Sequence, residues 1–212
     1  MLEFKKFPSI KRLSREIIVT EKIDGTNAQI YIELRANCLE EELNKVPYVA
    51  VARDGMEFII LAGSRSRWLG KGKEDNFGLR EWVDKNAEEL ILLGPGRHFG
   101  EWWGKGIQRG YGLAIKKFSL FNVSRWFDFE THKKVCPSCC DVVPLMYRGA
   151  MSEQEINRLL LSLEEMGSSA APGFMNPEGI VIYHTAANVL FKKTIKNDEG
   201  KEEHNGQNIT IN

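Results

Sequence analysis

The Asp54-Gly55 pair constrains the fold of this chain more than any other feature of its sequence. The pair separates two apolar runs, residues 48–52 and 56–61. Asp and Gly readily take the left-handed backbone conformation that both central positions of a type I′ turn require. The pattern therefore predicts a β-hairpin, and with it a fold that contains antiparallel sheet.

Further segments have the composition of short strands. The β-branched run at residues 17–19 ends at Thr20-Glu21-Lys22, and residues 28–34 alternate apolar and polar side chains. Four later segments are also predicted to be strands: residues 98–103, 117–123, 179–183 and 189–195. The last two are joined by a short loop and are expected to form a second hairpin.

Two helices are predicted between the strands. The first covers about residues 78–91, where apolar residues recur at helical spacing. The second begins at a capping box, in which the Ser152 hydroxyl accepts the amide of Glu155, and is predicted to end at Gly167. Hairpins with interspersed helices indicate an α+β fold, and no Pro/Gly/Ser-rich linker divides the chain. Residues 1–212 are therefore expected to form one domain.

The composition excludes several classes of protein. With 212 residues, of which 42% are hydrophobic and 27% charged, the chain is expected to be globular rather than disordered. Its apolar runs are too short to cross a bilayer, and its N-terminus lacks a signal segment, which predicts a soluble cytoplasmic protein with no membrane partner. Because 29 basic residues balance 29 acidic ones, bulk charge alone does not hold the chain on nucleic acid.

Cys136 and Cys139 form one CxxC pair. A structural zinc site normally has four ligands, and further ligands such as His98 or Cys38 would have to come from far away in the sequence. The alternative is a reduced, thiol-rich turn, and both interpretations stay open.

Lys22 is the first candidate for chemistry, because it follows a β-branched strand and precedes Asp24-Gly25. The simplest interpretation is a surface lysine before an Asp-Gly turn. A lysine that acts as a nucleophile must be neutral, although a free lysine amine, with a pKa of about 10, is protonated at neutral pH. Nearby cations disfavour the charged form, and Arg65, Lys192 and a bound metal ion are the candidates for that role.

Six segments carry a resemblance to a known family. They are EKIDGTN at residues 21–27, GSRSR at 63–67, FGEWWGKGIQ at 99–108, FSLFN at 118–122, PEGIVI at 177–182 and LFKKT at 190–194. In this order they resemble the covalent nucleotidyltransferase superfamily, and most closely its phage-type ATP-dependent RNA ligases, to which the Gly-Ile-Gln extension of the third segment points. The resemblance covers about residues 17–196 and implies an adenylyltransferase fold of antiparallel sheets with flanking helices.

The resemblance also implies roles for individual residues. Lys22 would be the catalytic nucleophile that becomes adenylylated, and Glu178 would help to hold the catalytic metal ion. A third group would bind the nucleotide: Glu21, Ile23, Asn27, Arg65, Glu101, Phe121 and Lys192. The implied cofactors are ATP and Mg²⁺ or Mn²⁺. Magnesium keeps several waters and takes few protein carboxylates, so a sparse set of ligands is expected.

Some of these residues have a structural alternative. Glu101 could be an exposed strand glutamate, and Phe121 could be a core residue rather than a platform for adenine. Trp102 and Trp103 are expected to pack in the core rather than to stack on bases.

The last segment departs from the family pattern, which often has two lysines spaced by one residue. Alternation along a strand places Thr194 on the side of Lys192 and directs Lys193 the other way. Lys196 lies on the Lys192 side one step beyond, and the second phosphate contact stays open.

The implied function is ATP-dependent joining of RNA 5′-phosphate and 3′-hydroxyl ends, in single strands or a nicked duplex, through a lysine–AMP intermediate. DNA nick sealing is the first alternative. Only about sixteen residues follow the last segment, so no C-terminal OB domain is expected. A protein partner that supplies an accessory domain is therefore the second alternative, and a nucleotide- or RNA-binding module without turnover is the third.

Overall fold

The computed structural model describes residues 2–72 and 75–196, so residues 197–212 of the predicted domain lie outside the described residues. In chain order the strands are β1 (Glu16–Lys22), β2 (Thr26–Leu34), β3 (Tyr48–Arg53), β4 (Met56–Gly63), β5 (Gly96–Gly104), β6 (Lys116–Leu120), β7 (Phe127–Asp128), β8 (Lys133–Lys134), β9 (Asp141–Val142), β10 (Leu145–Ala150), β11 (Gly179–His184) and β12 (Val189–Thr194). The α-helices are α1 (Glu40–Leu43), α2 (Leu79–Lys85), α3 (Ala87–Leu90), α4 (Val123–Trp126) and α5 (Glu153–Met166). No helix in the described ranges is long and apolar enough to cross a bilayer.

The strands form two principal sheets. One has four strands in the order β10-β1-β11-β12, and the other has six in the order β3-β4-β2-β5-β6-β9, while β7 and β8 form a separate pair. Neighbouring strands are antiparallel except for β6 and β9, which are parallel. The fold is α+β with largely antiparallel sheet, as predicted.

Both predicted hairpins are present. β3 and β4 pair from Arg53 opposite Met56 to Tyr48 opposite Leu61. The intervening Asp54-Gly55 pair has φ angles of 53° and 75°, both in the left-handed region that a type I′ turn requires. β11 and β12 form the second hairpin.

The helix predicted over residues 78–91 is wrong in one respect, because it is divided into α2 and α3. Asn86 separates them with a φ of −110° and a ψ of 14°. Its side-chain amide donates to the carbonyl of Trp82 at 2.7 Å and shares that acceptor with its own main-chain amide at 3.1 Å; such local side-chain bonds favour a helix end over a helix interior.

The strand predicted over residues 117–123 is also too long, because β6 ends at Leu120. Asn122 caps α4 instead, since its side-chain oxygen accepts the amide of Arg125 at 3.2 Å. A side chain that satisfies a free helical amide favours a helix start over continuation of the strand.

The four-stranded sheet packs one face against α5. This helix begins as predicted, with the Ser152 hydroxyl 3.3 Å from the amide of Glu155, and ends at Gly167, whose φ is 81°. The buried residues of this layer are Ile17, Val19, Ile180 and Ile182 of the sheet and Ile156, Leu159 and Leu163 of the helix. Alternate residues of β1 therefore pack against α5, and the residues between them face the opposite side of the sheet.

The larger core lies on one face of the six-stranded sheet. Ala28, Ile30 and Ile32 of β2 are buried there with α2, α3 and both Trp102 and Trp103, which are packing residues as predicted. The remaining residues of β2 lie on the other face of the sheet.

Candidate active site

A cavity of about 890 Å³ lies between the two principal sheets. Ile18, Thr20 and Lys22 line it from β1, and Glu101 lines it from β5. The β1 residues are those that do not pack on α5, because side chains alternate along a strand. Phe121, which follows β6, lines another side. The cavity is large enough for a nucleotide, since small-ligand pockets span roughly 300–1,000 Å³.

Lys22 forms an ion pair at this cavity. Its Nζ lies 2.6 Å from Oε2 of Glu178, and the two side chains are 26% and 18% exposed. Lys22 ends β1 and pairs with Gly179, the residue after Glu178, so strand register brings the two side chains together. The predicted nucleophile and the predicted metal ligand, 156 residues apart in sequence, are thus in direct contact.

Glu101 is buried against the loop that joins β1 to β2. Its carboxylate accepts the main-chain amide of Gly25 at 3.1 Å and the side-chain amide of Asn27 at 3.3 Å. Burial raises the pKa of its carboxyl to about 7, although the Asn27 amide, the Lys22 ammonium and the Gly25 amide oppose the rise. Only 7% of the residue is exposed, so the alternative of an exposed strand glutamate is wrong.

Gly25 allows this loop to approach β5 closely. A Cβ at that position would lie 2.5 Å from the carbonyl oxygen of Trp102 and 2.7 Å from the Cβ of Trp103. Ile23, in the same loop, is buried in the larger core and also lines the cavity. The absence of a side chain at Gly25 is therefore what lets the loop rest on the strand that carries Glu101.

Glu21 is among the residues that line the cavity, and its carboxylate bonds to the segment after α5. It accepts the Ser168 hydroxyl at 2.5 Å and the Ala170 amide at 2.8 Å, and only 1% of the residue is exposed. Burial raises the pKa of this carboxyl, and the same hydrogen bonds oppose the rise. The carboxylate thus anchors the segment after α5, and the nucleotide contact expected of Glu21 stays a prediction.

Arg109 links several parts of the site, and sequence reasoning missed it. Its Nε lies 2.8 Å from Oδ2 of Asp24, and its Nη1 donates to the carbonyl oxygens of Asn176 at 2.8 Å and Pro177 at 2.9 Å. The hydroxyl of Tyr111 accepts the Asp24 amide at 2.8 Å. The loop after β5 thereby ties the loop after β1 to the segment that leads into β11. The only feature of the sequence that points to Arg109 is its position directly after the FGEWWGKGIQ segment.

Two further predicted residues lie on the cavity side. Phe121 is 42% exposed and lines the cavity, which argues against its alternative role in the core. Lys192 pairs with Val181 and lies two residues from Leu190, both of which line the cavity, so alternation places Lys192 on the same face. Lys193 points the other way, as predicted, because its Nζ donates to Asn157 of α5 at 2.9 Å.

Arg65 is a predicted site residue for which the structure gives no contact with the cavity. It occupies the exposed turn after β4 and is not one of the residues that line the cavity. The turn does approach β2, since the Gln29 side-chain amide donates to the carbonyl oxygen of Ser64 at 3.3 Å.

Glu178 and Glu101 are the acidic groups of the site that could contribute to a metal centre. Within residues 2–72 and 75–196, no group of three or more His, Cys, Asp or Glu could hold a metal ion by itself. That donor set fits a hard cation that binds through one or two carboxylates, waters and substrate phosphates. His98, considered as a zinc ligand for the CxxC turn, instead bonds through Nε2 to the Gly94 carbonyl and packs on Trp126.

Comparison with known proteins decides the family. A sequence model described as RNA ligase matches residues 15–196 of the 212. The chain belongs to the RNA ligase family. A comparison with curated proteins gives no match.

Solved structures of a Naegleria gruberi RNA ligase have the same fold as this RNA ligase family member. An apo variant is 17% identical, with a TM-score of 0.50 over 85% of this chain and 50% of that one. A variant with ATP and manganese is 17% identical, and one with AMP and manganese 16%, each with a TM-score of 0.50 over 86% of this chain and 50% of the other. The chain spans about half the length of these solved relatives.

Proposed function

We propose that this RNA ligase family member forms a covalent lysine–AMP on Lys22 from ATP and joins RNA 5′-phosphate and 3′-hydroxyl ends. The observation that carries the proposal is the contact of Lys22 with Glu178 at a nucleotide-sized cavity that Glu101 also enters. Family membership supports RNA as the substrate. The relatives solved with ATP, AMP and manganese support ATP and Mg²⁺ or Mn²⁺ as cofactors.

In the first step, Nζ of Lys22 attacks the α-phosphorus of ATP. A nitrogen–phosphorus bond forms, the bond from the α-phosphorus to the bridging oxygen breaks, and pyrophosphate leaves with that electron pair. Nζ must first give up its proton and its ion pair with Glu178, because an ammonium has no lone pair with which to attack. The side chain needs little travel, since it already ends at the cavity wall.

The remaining residues bind and orient the nucleotide in this proposal. Glu178 would hold the divalent cation, which supplies positive charge against the triphosphate and beside the amine. Glu101 and Asn27 present hydrogen-bonding groups to ribose hydroxyls, and the exposed ring of Phe121 offers a face for adenine. Lys192, on the cavity side of β12, is assigned to a phosphate.

Two later steps complete the proposed reaction. AMP passes from Lys22 to the 5′-phosphate of RNA, and a 3′-hydroxyl then displaces AMP as the new phosphodiester bond forms. Adenylylation needs the residues of the cavity, whereas sealing also needs contacts to the polynucleotide. The two activities are therefore tested separately.

The first test uses ATP labelled at the α-phosphate, with magnesium. We expect an acid-labile covalent adduct on the wild-type protein and none on Lys22→Ala. Lys193→Ala is the matched control, because that lysine bonds to Asn157 on the far face of the sheet and should leave labelling unchanged. Equal labelling of Lys22→Ala and wild type would show that Lys22 is not the nucleophile.

The second test compares sealing of RNA strands, nicked RNA, nicked DNA and nicked hybrids by the adenylylated protein. We expect RNA 5′-phosphate ends to be sealed in preference to DNA ends. Preferential sealing of DNA–DNA nicks would overturn the assignment of RNA and leave the adenylylation step intact.

A further inference from the structure

A strip of side chains runs along the face of the six-stranded sheet opposite its larger core, and four of its six residues also line the Lys22 cavity. It consists of three cross-strand pairs, Asn27 with Glu101, Gln29 with Phe99 and Tyr31 with Arg97, and is called the β2/β5 strip. All six side chains lie on the face opposite the buried Ala28, Ile30 and Ile32, because strand residues alternate. At about 3.4 Å per residue, the strip is about 13 Å long.

Arg97 is held in a defined position on this strip. Its guanidinium carbon lies 4.8 Å from the ring centroid of Tyr31 and 5.3 Å from that of Trp68. Its Nη1 also donates to Oε1 of Gln29 at 3.0 Å. A guanidinium held against aromatic rings keeps its planar fork ready for phosphate oxygens, and little side-chain entropy is left to lose on binding.

Phe99 occupies the centre of the strip and is 53% exposed, although its strand neighbours His98 and Gly100 are buried. An exposed aromatic ring on a rigid strand is a platform on which a nucleobase can stack, and such stacking tolerates any base. Gln29 ties the adjacent GSRSR turn to the strip, because its side-chain amide donates to the carbonyl oxygen of Ser64.

We propose that the β2/β5 strip binds a strand of the polynucleotide substrate, with one base stacked on Phe99 and a phosphate on Arg97. Charge and position both support this occupant: the single acid of the strip, Glu101, lies at its catalytic end, and the strip is continuous with the Lys22 cavity. Its length corresponds to roughly four stacked nucleotides at about 3.4 Å each.

The strip has a defined far end. Beyond Tyr31, the next residue on this face is Glu33, whose carboxylate accepts hydrogen bonds from the Tyr31 hydroxyl and from Asn37. A carboxylate there repels a phosphate backbone, so the strand must leave the sheet at that point. The inference rests on the proposed function and adds to it the place where the RNA lies.

The test uses Arg97→Met and Phe99→Leu, with Arg158→Met as a control on the remote face of α5, where Arg158 pairs with Glu155. Affinity for a labelled, single-stranded 5′-phosphate RNA is measured with unadenylylated protein over a range of salt. We expect both variants to bind roughly tenfold more weakly, and Arg97→Met to reduce the salt slope by about 0.7. Phe99→Leu should keep the wild-type slope, and Arg158→Met should match wild type throughout.

Two kinetic measurements on the same variants locate the effect. Arg97 and Phe99 also line the cavity, at strand positions farther from Lys22 than Glu101, so adenylylation is measured beside RNA binding. Adenylylation of Lys22 by ATP should fall much less than transfer of AMP from the adenylylated protein to subsaturating RNA, which should fall by about the loss in affinity. Phe99→Trp provides a variant that retains the aromatic surface and should bind RNA at least as tightly as wild type. Melting temperatures show whether each variant is folded.

Two outcomes would overturn the strip as an RNA site. One is an unchanged RNA affinity in both variants, which would leave the exposed aromatic surface to some other partner. The other is a parallel fall in adenylylation, which would assign Arg97 and Phe99 to the ATP site. A third outcome separates the two proposals. If the wild-type protein forms no covalent AMP adduct while the variants still bind RNA more weakly, the proposed function is wrong and the β2/β5 strip is still an RNA-binding site.

Discussion

At the scale of single residues, burial and hydrogen bonding have opposite effects on the pKa of the Glu101 carboxyl. Burial raises the pKa of its carboxyl from 4.5 to about 7. An acid whose pKa is higher in the folded protein than in the unfolded chain binds its proton more tightly when folded. Its contribution to stability is therefore complete below about pH 4.5 and is lost as the pH rises through about 7.

Glu101→Gln should remove this pH dependence. The free energy of unfolding of the wild-type protein, measured with denaturant, should fall relative to the variant by roughly 2–3 kcal/mol between about pH 5 and about pH 8. A constant difference between the two proteins over that range would show that the folded state does not perturb Glu101.

The residues that line the cavity could be predicted only where they belong to a recognisable segment. Lys22, Asn27 and Glu101 belong to such segments, and the structure brings them to one cavity. Arg109 bonds to partners 67 to 85 residues away, and no local pattern reports such a contact. The direction of the Glu21 side chain was likewise missed, because it depends on Ser168 and Ala170 at the far end of α5.

At the scale of elements, the loop between β5 and β6 connects the two segments that carry Lys22 and Glu178. Through Arg109 it holds Asp24, in the loop after Lys22, and the carbonyls that precede Glu178. Arg109 does not line the cavity, so we infer that it positions other groups rather than binding the nucleotide.

Replacing Arg109 by Lys or Ala should slow adenylylation of Lys22 at saturating ATP by about 10- to 100-fold, because small misplacements of a nucleophile are costly. Lysine keeps the charge but lacks the fork that reaches Asp24 and both carbonyls together. The ATP concentration for half-maximal rate should change little. Rapid-quench measurements on Arg109→Ala, Asp24→Asn and the double variant should show effects that do not add. Additive effects of the two substitutions would contradict a positioning role for Arg109. So would a rise in the ATP concentration for half-maximal rate that matches the loss in rate.

Strands and hairpins were predicted more accurately than helix boundaries. The Asp54-Gly55 turn and the alternation in β2 are local signals that tertiary contacts do not override. The division of α2 from α3 at Asn86 and the start of α4 at Asn122 both depend on one side chain bonding to nearby main chain. Hydrophobic periodicity carries no information about that choice.

At the scale of the whole molecule, the site is divided between the two principal sheets. Lys22 comes from the four-stranded sheet and Glu178 directly precedes its strand β11, whereas Glu101 and Asn27 come from the six-stranded sheet. A nucleotide bound in the cavity therefore contacts both sheets, and should stabilise the folded protein against opening of the gap between them.

Saturating α,β-methylene-ATP, which cannot transfer AMP, should raise the melting temperature in the presence of magnesium. At about 100 times the dissociation constant the stabilisation is about 2.7 kcal/mol, or roughly 5–10 °C for a chain of this size. Scanning calorimetry measures the shift, and the matching guanosine analogue serves as the control. An equal shift with the guanosine analogue would contradict the choice of ATP.

The crossover between the sheets lies beside Lys22, the proposed nucleophile, because β1 ends at Lys22 and β2 begins at Thr26. In mechanical terms this connection is a pivot: if one sheet rotates relative to the other about it, each residue moves in proportion to its distance from the axis. Lys22 and Gly25 move least, and cavity residues farther along the strands, such as Ile18 and Arg97, move most. A rotation of this kind would widen the cavity at the end away from Lys22 and change the distance between Lys22 and Glu101 least.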